Sequence, residues 1–82
     1  MNGNIKSKDV LYRGEVLTLT EYFGRPCLFI NNPSQISMPK MQFVGGYPDE
    51  YCIYLDDLTD EEKHSVTDIK GRPIDIEKFF HS

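Results

Sequence analysis

The residues best able to do chemistry crowd into one part of this chain. Asp56, Asp57, Asp60, Glu61 and Glu62 put five carboxylates into seven consecutive positions. Hard oxygen donors at that density suit calcium or magnesium. The order Asp-x-Asp-x-Asp-Gly of a calcium loop is missing, however, so no metal and no cofactor is expected. Paired carboxylates for glycoside hydrolysis need a cleft between them, which a chain of 82 residues rarely encloses. Cys27 and Cys52 are the two thiols, and His64 and His81 the two imidazoles. A Cys–His nucleophile needs a partly exposed thiol of lowered pKa. Both cysteines instead sit in apolar runs, Cys27-Leu28-Phe29-Ile30 and Tyr51-Cys52-Ile53-Tyr54-Leu55. Burial there raises a thiol pKa. The expectation is two buried free thiols, with a disulfide between neighbouring strands as the alternative. Gly45-Gly46 lacks the lysine and following helix of a phosphate loop. No reaction is implied, and the chain is read as a non-enzyme.

Charge is the more informative signal. Residues 49–68 carry eight acids (Asp49, Glu50, Asp56, Asp57, Asp60, Glu61, Glu62 and Asp68) against one base, Lys63. Residues 1–48 carry five bases against three acids, and residues 69–82 three against two. The net charge of −4 therefore originates in one quarter of the chain. Gathered on one face, these acids attract a basic partner and repel nucleic acid. The bland alternative is a solvated helix start, where acids are favoured in any case. Tyr47 and Tyr51, displayed by Gly45-Gly46-Tyr47-Pro48, add aromatic anchors of the kind interfaces favour. The expected partner-binding set is Tyr47, Asp49, Glu50, Tyr51, Asp56, Asp57, Asp60 and Glu61.

A competing arrangement surrounds the first hairpin. Lys6, Lys8, Arg13 and Arg25 flank Tyr12, Tyr22 and Phe23, and aromatics beside bases can stack nucleotides. The acidic net charge disfavours that reading. It survives only if the four bases share a face with exposed rings.

These residues need elements to position them. Residues 1–8 are polar and expected to fray, leaving 9–82 as one domain. Leu17 and Leu19 alternate with Thr18 and Thr20, the period of a strand with one wet face. Gly14 marks a bend between two strands. Phe23-Gly24-Arg25-Pro26 is a turn, so residues 15–30 read as a hairpin. Pro33 and Pro39 make residues 31–40 irregular. Met41–Val44 forms a short strand and Tyr51–Leu55 a central one. Thr59-Asp60-Glu61-Glu62 spells a capping box. The helix it opens is expected near residues 60–69, closed by Gly71. The alternative ends that helix near Ser65 and makes 66–76 a hairpin about Lys70-Gly71. Asp75 caps a short helical turn over 76–80, with Ile74 and Phe79 placed as a hydrophobic staple.

The fold expected is α+β: a small antiparallel sheet or open barrel of four to five short strands, one helix and a short C-terminal helical turn. No signal core or membrane-length apolar run is visible, so the expected location is cytoplasmic. The expected role is a small regulator or inhibitor, of a format also carried by phages. It binds a protein with a basic surface, such as a nucleic-acid enzyme. Self-pairing of uncovered sheet edges into a homodimer stays open.

Overall fold

A computed structural model of the chain describes residues 6–33 and 36–81. Its strands are β1 (Lys8–Tyr12), β2 (Glu15–Tyr22), β3 (Arg25–Ile30), β4 (Gln42–Gly45), β5 (Glu50–Tyr54) and β6 (Thr67–Asp68). Its helices are α1 (Asp60–His64) and α2 (Ile76–His81), and a 3-10 turn spans Leu55–Asp57. The strands form one antiparallel sheet in the order β4-β5-β3-β2-β1-β6. Its end strands, β4 and β6, do not pair with each other, so the sheet is open rather than closed into a barrel.

The first two hairpins use the same device. Arg13 and Gly14 have φ of 54° and 81°, and Phe23 and Gly24 have φ of 54° and 74°. Two left-handed residues in a two-residue loop match the twist of the flanking strands. Pairing then runs in unbroken register, with Val10 opposite Leu17 and Leu19 opposite Leu28. Alternation sends Val10, Tyr12, Leu17, Leu19, Leu28, Ile30 and Ile53 to one face, where all are buried.

The chain after β5 crosses that face to reach the far edge of the sheet. Leu55, Leu58 and Val66 of the crossing segment are buried in the core, and Ile74, Ile76, Phe79 and Phe80 pack on it from the C-terminal segment. Each fully buried aliphatic side chain contributes about 1.5–3 kcal/mol. The other face carries a smaller cluster of strand residues alone: Cys27, Cys52 and Tyr54, flanked by Tyr22, Phe29 and Val44. Tyr51–Leu55 therefore buries side chains on both faces, as a central strand should.

Three expectations need correction. The helix near 60–69 spans only Asp60–His64. The Ser65 hydroxyl donates to the Glu62 carbonyl at 2.6 Å, closing the helix. Thr67 and Asp68 then pair with Leu11 and Val10, so the sheet takes residues the helix was expected to hold. The hairpin alternative is the one formed: Thr67 bridges to Pro73 around the turn at Lys70-Gly71. Secondly, the strands number six among the described residues rather than four to five, because two-residue β6 has no pattern of its own. Thirdly, β1 begins at Lys8, inside the stretch expected to fray, and Thr20 Oγ1 donates to the Lys6 carbonyl at 3.1 Å. The part of that expectation covering residues 1–5 lies outside the described residues. Among the described residues, no helix is long and apolar enough to cross a membrane.

Candidate interaction surface

The acidic stretch is built by β5 together with the 3-10 turn and α1. Strand β5 separates Asp49 and Glu50 at one end from Asp56, Asp57, Asp60 and Glu61 at the other. A strand of that length spans about 17 Å, so the eight expected partner-binding residues form two groups rather than one face.

Most of the acids are occupied within the molecule. Arg25 Nη2 lies 2.6 Å from Asp56 Oδ1, and its Nε lies 3.3 Å from Oδ2, a forked ion pair. The same guanidinium sits 3.8 Å from the centroid of the Tyr54 ring and 3.9 Å from Asp57. This hydrogen bond from Arg25 holds the Asp56 carboxyl below its ordinary pKa. Gln42 Nε2 donates to Asp57 at 2.9 Å. Glu62 completes the capping box with Thr59 and accepts from Lys40 Nζ at 2.7 Å. The lysine first, and the Thr59 N–H second, pull its pKa down to about 2. The Asp68 carboxylate receives the Lys70 and Arg72 N–H groups, each at 2.9 Å. The Tyr22 hydroxyl donates to Glu50 at 3.3 Å. Asp49, Asp60 and Glu61 are left without a hydrogen bond or ion pair among the described residues.

A groove of about 860 Å³ opens beside Asp56 and Asp60, between the 3-10 turn with α1 on one wall and residues 73–81 on the other. Its floor is apolar, with Leu55, Ile74, Ile76 and Phe80. Its rim carries Asp60, Asp75 and Glu77, joined by Lys63, His64 and His81. Asp75 is committed to capping α2, since its Oδ1 accepts from the Lys78 N–H at 3.0 Å. Glu77, like Asp60, has no partner among the described residues. Carboxylates outnumber the one lysine on this rim by three to one. An apolar floor under free carboxylates accepts a side chain that is oily along its length or flanked by cations.

The sequence places Phe23 in a turn and among the rings that could stack nucleotides, and not as an anchor for a protein partner. The Phe23 ring is 79% exposed, edge-on to Tyr22 at 4.7 Å, while its backbone is left-handed. Both features are unfavourable for a phenylalanine. It stands three positions before Pro26, which lines the groove, or within about 10 Å of it along an extended chain. The only advance signal is the misfit itself: an aromatic where a two-residue turn favours Asn or Asp before Gly.

The remaining sequence candidates fall apart in space. Cys27 and Cys52 are buried free thiols in the second-face cluster. Burial pushes Cys27 up to about 12 and raises Cys52. His64 and His81 line the groove on the other side, so no Cys–His pair forms. Among the described residues, no three His, Cys, Asp or Glu side chains converge as a metal site would require. The four bases of the first hairpin do not share a face. Arg13 lies at the opposite end of β2 from Arg25, about 26 Å away over eight residues. Arg25 is held by Asp56, and Lys6 Nζ donates to the Phe79 carbonyl at 3.1 Å. No protein-family model, curated protein or solved structure matches this chain.

Proposed function

We propose that this chain is a non-enzymatic protein-interaction module that regulates or inhibits a partner with a basic surface. The partner segment seats an apolar side chain on Leu55, Ile76 and Phe80, with flanking lysine or arginine against Asp60 and Glu77. The observation that carries this reading is the pair of partnerless carboxylates over an apolar floor. Phe23 adds an exposed aromatic at the same end of the sheet, suited to anchor a partner's pocket.

Of the acids expected to bind, Asp60 is the partnerless one that lines this groove and Asp56 stands on its wall, while Asp49 and Glu61 lie outside it. Asp57 is drawn toward Gln42 and Arg25, and Glu50 toward Tyr22. Such a surface also suits a nucleic-acid-binding protein, whose basic patch it would occupy. Binding nucleic acid directly is the weaker reading, because the bases that would contact phosphates are scattered or internally held.

A displayed library of random peptides, panned against wild type and against Asp60→Lys/Glu77→Lys, tests the proposal. The expected wild-type survivors place Arg or Lys beside Leu, Ile or Phe, and the reversed variant loses them. Survivors without basic residues, or retained equally by both proteins, contradict it.

A further inference from the structure

At the opposite end of β5, the loop joining β4 to β5 overhangs a second, shallower depression of about 650 Å³. Tyr47, Pro48, Asp49, Tyr51, Pro33 and Met41 line it. Tyr47 is fully exposed. Tyr51 is half-buried, and its ring meets Phe43 edge-on with centroids 5.6 Å apart. The hydroxyls of Tyr47 and Tyr51 have no hydrogen-bond partner among the described residues, and neither does the Asp49 carboxylate.

This chemistry selects a particular ligand. The walls offer flat rings, two proline rings and a thioether, which reward flat apolar groups. The free phenols can donate to carbonyl oxygens. A single carboxylate can hold one cation. A bound chain should therefore bring ring surface and bare carbonyls, few N–H groups and a positive end. A polyproline II segment has this composition: proline lacks an N–H, and its carbonyls stay unpaired along an extended helix. Its shape exists before binding, so little ordering entropy is lost, and aromatic-lined grooves are its usual seat.

We propose that this depression binds a proline-rich segment in the polyproline II conformation, with an adjacent arginine or lysine on Asp49. Its prolines lie against Tyr47 and Tyr51. The site is separate from the groove at α1 and α2 and stands or falls independently of it.

A labelled oligoproline peptide ending in arginine tests it by fluorescence polarisation. Wild type should bind saturably, and the same peptide ending in glutamate should bind at least about tenfold more weakly. Tyr47→Ala should weaken the arginine peptide about tenfold or more. That ring is fully exposed, so circular dichroism should show the variant folded. Asp49→Lys should reverse the preference toward the glutamate peptide. Asp60→Lys/Glu77→Lys, at the other groove, should leave binding unchanged. No saturable binding by wild type, equal binding by folded Tyr47→Ala, or loss only in the Asp60/Glu77 variant would each overturn the proposal.

Discussion

At the scale of single residues, two side chains carry the sharpest expectations. Phe23 occupies a left-handed position that costs a non-glycine residue about 1–2 kcal/mol. Asn before Gly fits such a turn far better. The substitution forfeits the ring contact with Tyr22, worth about 0.5–1.5 kcal/mol. Phe23→Asn should therefore change urea stability by between about −0.5 and +1.5 kcal/mol, while weakening partner capture. A loss beyond about 0.5 kcal/mol would mean that the ring serves the fold rather than a partner. Glu62 sets a pH dependence. Its pKa falls from an ordinary 4.5 to about 2 in the folded state. The unfolded chain thus takes up the proton first, and the contribution present above pH 4.5 is lost as pH falls toward 2. Asp56 and Asp68 are shifted in the same direction by Arg25 and by the Arg72 N–H. Acid titration of the melting temperature should show a fall across this window that is shallower in Glu62→Gln.

At the scale of elements, the locally coded pieces were legible and the distant ones were not. The 59–62 capping box, the Asp75 cap and the 15–30 hairpin rest on contacts between near neighbours, so their signals are contiguous. The 60–69 helix misled because Val66 and Thr67 also suit a strand, and the choice lay with β1, more than fifty positions away. The ion pair of Arg25 with Asp56 bridges 31 positions, so a run of acids that reads as a free surface turned out to be largely occupied. Glu50 is similarly taken by Tyr22, 28 positions before it. Helix α1 has five residues and none of them is buried. It depends on its cap more than a packed helix would. Thr59→Ala should cost about 1 kcal/mol, measured by chemical denaturation. Because α1 forms one wall of the groove, partner affinity should fall with it. A change below about 0.3 kcal/mol would show that the contacts left to Glu62, from Lys40 and from the residue-59 backbone N–H, suffice to hold the wall.

At the scale of the whole molecule, the layout is one-sided. The crossing segment and the C-terminal aromatics, Phe79 and Phe80, cover a single face of the sheet. The groove forms where these two coverings meet. The open edges of the sheet are short: four residues in β4, interrupted by a register shift, and two in β6. Short, irregular edges offer little template for strand addition. The side-chain surface is thus the better candidate for recognition than the backbone.

The most direct test of the acidic-groove reading is a nitrogen–proton NMR titration of the labelled chain with a basic peptide selected by panning. Amide shifts should concentrate at Asp60, Lys63, His64, Ile76 and Glu77, and added salt should weaken binding. Shifts confined to the second sheet face around Phe29 and Tyr54, or binding indifferent to salt, would contradict it.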